Sequence, residues 1–210
     1  MHWAPSPEIL SFGPLALRWY GMLFAAGFIL AYVYLSKIFP KEGRPKGELD
    51  ELLIYIVVGT VVGARLGHCL FYEPMRYLEN PLEILFIWHG GLASHGAAIG
   101  IIVACWLFSR RPGTRSFLWI TDRVCLTVPM AGASIRLGNF FNSEIIGKQT
   151  DVPWAVIFER VDSVPRHPSQ LYEALIYIII FLVNHMIYRR QREKTPEGLI
   201  FGSLFIMLFT

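Results

Sequence analysis

The sequence predicts an all-α fold, a polytopic transmembrane helix bundle with a small outward-facing head segment, and three observations carry that prediction. The first is composition: 54% of the 210 residues are hydrophobic and 14% aromatic, above what an ordinary soluble globule holds. The second is segment length. A membrane span needs about 20 mostly apolar residues to cross about 30 Å of hydrocarbon, and the chain has such runs at roughly 15–39, 50–72, 82–108, 117–138 and 168–188. A sixth run begins at Leu199 and reaches Thr210 after about half the required length, so the chain reads as cut short, with about six spans begun. The third is charge. Lys41, Arg44 and Lys46, then Arg110, Arg111 and Arg115, then Arg189, Arg190, Arg192 and Lys194 fall in three loops on one side if the spans alternate. The positive-inside rule places those loops in the cytoplasm and leaves the N-terminus and the 139–167 segment outside.

The first 14 residues lack a basic start and a small-residue cleavage site, so the first span is expected to be retained as an anchor. No repeat or linker interrupts the chain, which is read as one integral membrane domain, residues 1–210, with 139–167 as the head within it. WAVIF, residues 154–158, is the only segment that reads as a strand. Cys69, Cys105 and Cys125 are odd in number and sit in apolar spans, as buried thiols do. The net charge of +3 follows from the cytoplasmic loops, and no nucleic-acid partner is needed to explain it.

Polar residues at membrane depth are the informative ones, because a charge there costs a few kcal/mol unless it snorkels or finds a partner. Snorkelling accounts for Arg18 near a span end, and local pairing with Asp122 for Arg123. Arg65 and Arg136 need another account. In GTVVGARLGHCLFY, Gly59, Gly63 and Gly67 have the spacing of a close helix contact, and Arg65 and His68 lie three residues apart. They read equally as an interhelical tie or a ligand site.

HGGLASHGAAIG, residues 89–100, places His89, His95 and four glycines in an apolar run. Glycine at that density allows irregular backbone, tolerable at membrane depth only beside protein or a polar cavity. His95 is then a candidate general base, the alternative being a hydrogen-bonded packing histidine. In SIRLGNFFNSEIIGKQT, residues 134–150, Arg136, Asn139 and Asn142 recur every three residues and share a helix face, with Glu144 two residues on. An arginine fork beside amide donors suits a phosphate; the plainer reading is a helix cap.

RLGNFFNSEIIG resembles the signature of bacterial prolipoprotein diacylglyceryl transferases, and FGPLALRWYG, GARLGHCLFY, HGGLASHGAAIG and RHPSQLYEALIY agree with that family in order and spacing. The resemblance runs from about residue 12 to residue 202. It implies transfer of the sn-1,2-diacylglyceryl group of phosphatidylglycerol to the lipobox cysteine of a preprolipoprotein signal peptide, with a thioether formed and glycerol 1-phosphate released. It also implies an enzyme of the bacterial cytoplasmic (inner) membrane, with seven spans and an active site toward the outer leaflet. Membrane lipid and signal peptide are the partners, and no metal or other cofactor is required.

The same resemblance carries a catalytic histidine to His95, a phosphate-binding arginine to Arg136 and an essential tyrosine to Tyr20, and points to Asn139, Glu144 and Gly147. With Arg65, the expected phosphatidylglycerol-binding set is Arg136, Asn139 and Gly147. A thiol with pKa of about 8.5 needs a base or cationic neighbour, and the departing phosphate oxygen needs donors such as Arg136 and Asn139. The chain departs from the family at Ile135, where glycine is usual, and the polar cluster expected on the last span lies past Thr210. Two rivals stay open on the residues alone. One is an anion or proton-coupled transporter lined by the same polar groups, although no repeated pair of broken helices is visible. The other is a haem protein ligated by His68 and His95. The lipid reading adds an opening between helices toward the bilayer.

Overall fold

The computed structural model of the chain describes residues 1–12, 15–87, 90–191 and 194–209. His89 and Arg192 therefore lie outside the described residues, as do Gly13, Pro14 and Thr210. The molecule is mostly helical, 69%, and divides into two compact units, Met1–Lys37 with Arg123–Thr210, and Ile38–Asp122.

The first unit contains α1 (Trp19–Ile38), most of α5 (Phe117–Asn142), α6 (Ser169–Gln191) and α7 (Leu199–Phe209). Small residues let these helices approach. A Cβ at Gly27 on α1 would lie 3.2 Å from Ala131 Cα on α5, and one at Gly132 would lie 3.1 Å from the Tyr177 ring on α6. Two polar ties cross between helices of the apolar bundle. Tyr34 Oη lies 2.6 Å from His185 Nδ1, joining α1 to α6, and Ser203 Oγ donates to Asn184 Oδ1 at 2.8 Å, joining α7 to α6.

At one end of this unit the chain builds a small head. Its three-stranded sheet has the order β1 (His2–Trp3), β4 (Val156–Phe158), β5 (Pro165–Arg166), with β1 parallel and β5 antiparallel to β4. WAVIF does supply a strand, but the expectation that it is the only one is overturned. The N-terminal residues supply β1, and β2 (Glu8–Phe12) and β3 (Leu15–Arg18) form a separate antiparallel pair. Strand β1 is two residues long and has no periodicity to read; it exists because its partner β4 lies more than 150 residues away. Phe140, Val156 and Phe158 form a buried cluster with Trp3, Ile146 and Leu171 packed on it. Trp3 Nε1 also donates to Phe140 O at 3.0 Å, which pins the N-terminus to the end of α5. The strand pairing of 15–18 also shortens the first span, which begins at Trp19 instead of residue 15.

The second unit contains α2 (Lys46–Phe71), α3 (Pro74–Glu79) and α4 (Ser94–Ser109), with 3₁₀ turns at Phe39–Glu42 and Pro81–Leu85. The glycines of α2 and α4 meet face to face. A Cβ at Gly63 would fall 2.3 Å from Gly96 O, one at Gly100 2.0 Å from Gly59 O, and one at Gly67 2.7 Å from Gly96 Cα. No side chain other than hydrogen fits between the two backbones, so the small-xxx-small spacing is indeed a close helix contact. The third apolar run differs from a continuous span over 82–108: helix starts only at Ser94. Pro81 opens a 3₁₀ turn, and Gly90 and Gly91 adopt φ of 86° and 75°, which no right-handed helix carries.

Four described helices are long and apolar enough to cross a membrane, α1, α2, α5 and α6, while α4 and α7 are apolar but shorter.

Candidate functional site

In the first unit, the every-third-residue spacing on α5 builds a bonded cluster. Arg136 Nη1 donates to Asn139 Oδ1 at 3.4 Å, Asn139 Nδ2 donates to Glu144 Oε2 at 3.1 Å, and Asn142 Nδ2 donates to Glu144 Oε1 at 3.3 Å. Glu144 lies beyond the helix, and a Schellman turn folds it back. The Ser143 N–H donates to Phe140 O at 3.2 Å and the Glu144 N–H to Asn139 O at 2.9 Å, with Ser143 left-handed at φ 56°. That position usually holds glycine; an L-residue there costs about 1–2 kcal/mol. Ile145, at φ 53°, repeats the strain two residues later. A carboxylate at a helix C-terminus also meets the negative end of the dipole, an unfavourable placement by about 0.3–1 kcal/mol. The two amide donors offset it.

Helix α6 closes the cluster from the other side. Glu173 Oε2 forms an ion pair with Arg136 Nε at 2.6 Å. Gln170 Nε2 donates to Glu144 O at 2.6 Å and Ser169 Oγ to Ile145 O at 2.7 Å. Glu173 and Gln170 were not singled out from the sequence. Their signal was present in RHPSQLYEALIY, where two polar residues three apart open an apolar helix, yet nothing local says that α5 faces them. The Arg136 side chain remains about a quarter exposed, and its Nη2 has no hydrogen-bond partner among the described residues. The arrangement is a guanidinium held by one carboxylate, with amides oriented beside it and a donor still to give.

Tyr20, the second residue of α1, packs on this stretch of α5. A Cβ at Gly138 would lie 2.9 Å from Tyr20 Cδ2 and 3.2 Å from its Cα, so glycine at 138 is what lets the tyrosine backbone come this close. Gly147 occupies a different place. Its N–H donates to His167 O at 3.1 Å, its carbonyl accepts from Arg166 Nη1 at 3.4 Å, and a Cβ would fall 2.5 Å from His167 O. It joins the chain leaving the cluster to the β5 side of the head, outside the bonded group around Arg136. Nearby, Asp162 accepts from Arg166 Nη2 at 2.5 Å and from the Val164 N–H at 3.0 Å. The arginine first, and the backbone donor second, hold its carboxyl below the usual carboxylate range.

The second unit holds Arg65, His68 and His95. Arg65 is 4% exposed and donates only to backbone carbonyls: Glu83 O at 2.5 Å, Gly90 O at 2.6 Å, Ile84 O at 3.0 Å, Gly91 O at 3.2 Å and Phe86 O at 3.4 Å. These carbonyls belong to the 3₁₀ turn and the non-helical lead into α4, so one guanidinium ties that irregular backbone together. Its plane also lies 5.0 Å from the Tyr77 ring centroid. His68 sits under Gly91, where a Cβ would fall 2.6 Å from its Cδ2. His95, in the first turn of α4, is exposed and flanked by Phe71 and Tyr72 at 5.2 and 5.8 Å between ring centroids. Its ring has no hydrogen bond among the described residues.

The family model for prolipoprotein diacylglyceryl transferase matches residues 7–210. A phosphatidylglycerol–prolipoprotein diacylglyceryl transferase of Tolumonas auensis is 50% identical over 209 residues, covering all of this chain and 81% of the relative. Proteins of the same name from Chloroherpeton thalassium and Bacteroides fragilis are 46% and 39% identical, covering 99% and 100% of this chain and 78% and 80% of the relatives. A match that spans the chain at such identity shows the family: the chain belongs to the prolipoprotein diacylglyceryl transferase family.

Proposed function

We propose that this protein transfers the sn-1,2-diacylglyceryl group of phosphatidylglycerol to the lipobox cysteine thiol of preprolipoprotein signal peptides, the first step of lipoprotein maturation. In the step, a bond forms between the cysteine sulfur and the terminal glycerol carbon of the diacylglyceryl group, while the bond from that carbon to the phosphate oxygen breaks. The thiol proton goes to His95, whose exposed, unbonded ring supports that assignment. Glycerol 1-phosphate leaves with one more negative charge than the diester carried. Arg136 and the Asn139 amide take up that charge, and Glu144 orients Asn139. The observation that carries the reading is the continuous bonded set Arg136–Asn139–Glu144–Asn142, in which a carboxylate orients two amides beside a guanidinium at the end of an apolar helix.

Tyr20 lies on the same stretch of α5 and is assigned to the reacting lipid. Gly147 and Arg65 act on phosphatidylglycerol through the backbone they shape, the 147–167 pairing and the 83–91 segment. We further assign the chain to the inner membrane of a bacterium as one polytopic domain of about six spans. The N-terminus and the 139–167 head are outside, the active site faces the outer leaflet, and lipid enters sideways between helices. The basic loops support the orientation.

The test is a transfer assay on the purified protein with phosphatidylglycerol vesicles and a lipobox peptide, read by mass spectrometry beside a Cys→Ser peptide. A diacylglyceryl increment on the cysteine peptide alone is expected. No increment from folded, lipid-loaded protein overturns the reading.

A further inference from the structure

Glu144 stands between two non-glycine residues in the left-handed region, Ser143 at φ 56° and Ile145 at φ 53°. Such a backbone persists only when its surroundings hold it. The holding groups are visible: Gln170 Nε2 on Glu144 O at 2.6 Å, and Ser169 Oγ on Ile145 O at 2.7 Å. Gln170 is fully buried, and its Oε1 has no partner. A buried amide left half unsatisfied is a cost the fold carries in exchange for the single bond its other end makes. Only the NH₂ end can face a carbonyl, so the orientation of the amide follows from that bond.

We propose that Gln170 is a positioning residue for the transfer reaction: its side-chain amide locks the strained 143–145 turn, and the turn places the Glu144 carboxylate on Asn139 and Asn142 beside Arg136. The inference rests on the transferase reading above. Without the lock, the turn relaxes toward ordinary φ values, the Glu144 side chain swings off the two amides, and Asn139 loses the partner that aims it. The loss falls on turnover, because Arg136 keeps its ion pair with Glu173 whether or not the turn is locked.

The experiment compares wild type, Gln170→Glu, and Gln170→Glu combined with Ser143→Gly in the vesicle and lipobox-peptide assay, from about pH 5.5 to 8. Glutamate has the shape of glutamine but no donor when ionised; protonated, it can donate to Glu144 O again. Expected at pH 8 is a kcat about 10- to 100-fold below wild type with KM for phosphatidylglycerol little changed. The ratio of variant to wild-type rate should climb as pH falls; using the ratio cancels the pH dependence that both proteins share. Glycine at 143 removes the strain the lock opposes, so the double variant should recover part of the loss at pH 8.

Wild-type kcat in Gln170→Glu, or a lowered kcat whose ratio to wild type is flat with pH and unrescued by Ser143→Gly, overturns the inference. If the single variant does not fold, the pH profile of the double variant decides. A wild-type protein that transfers nothing refutes the transferase reading itself, which keeps the two failures apart.

Discussion

Two arginines in apolar helices have opposite surroundings. Arg65 gives its donors to five backbone carbonyls and is almost wholly buried. Arg136 meets side chains, one carboxylate and one amide, and stays about a quarter exposed. Carbonyls of a fixed loop cannot leave, so Arg65 is committed to the fold. Side-chain partners can rotate away and be replaced by a ligand oxygen, which is the role proposed above for Arg136. A charge in an apolar helix is therefore not in itself a binding site; what it is bonded to decides.

Substituting each arginine sharpens that contrast. Arg65→Lys keeps the charge but cannot reach five carbonyls, at about 1–3 kcal/mol for each acceptor left without a donor. We expect the largest effect here: a loss of about 3–5 kcal/mol of stability, seen as a steep fall in melting temperature in detergent. Arg136→Ala should leave melting within a few degrees and cut kcat about 10²- to 10³-fold, with weaker phosphatidylglycerol binding. His95→Ala should lower turnover with lipid affinity kept. Equal lipid affinity in the Arg136 and His95 variants would break the division of labour between them.

Smaller effects probe the supports of each region. Gly63→Ala puts a Cβ 2.3 Å from Gly96 O; the α2–α4 pair must part, at about 1–3 kcal/mol, read as a lower melting temperature. Ser143→Gly removes a left-handed side chain whose Oγ has no partner and should stabilise by about 1 kcal/mol, read as a raised melting temperature. The smallest concerns Asp162. Its carboxyl is held below the ordinary range, so its contribution is full above the unfolded value of about 3.9 and is lost only as pH falls through the lower folded value. The head should therefore keep its tryptophan fluorescence to lower pH than Asp162→Asn does.

Much of the Arg136 region was legible because it is local. A spacing of three on a helix puts Arg136, Asn139 and Asn142 on one face whatever the rest of the chain does. Glu144 was read as a neighbour, yet its return to that face depends on a left-handed serine that no residue pattern announces. Glu173 and Gln170 belong to another helix, and their meeting with α5 is a matter of packing. In the other unit the glycine spacing correctly marked a close helix contact. The role of Arg65 stayed undecided in the sequence, since its partners lie 18 to 26 residues away in a segment whose irregular path is itself a product of folding.

By itself, then, the sequence determined what hydropathy, charge bias and helical period determine: the long apolar helices, the polar face of α5, the glycine face of α2 and the family to which five ordered segments pointed. These are properties of neighbours along the chain, set by residue type and the geometry of one helix. Tertiary structure alone decided that residues 2–3 complete a sheet with 156–158, that Arg65 serves a loop, and that α6 grips the turn carrying Glu144. Each of these joins groups far apart in sequence, where the cost of closing the loop is met by burial and hydrogen bonds that exist only after the chain has folded.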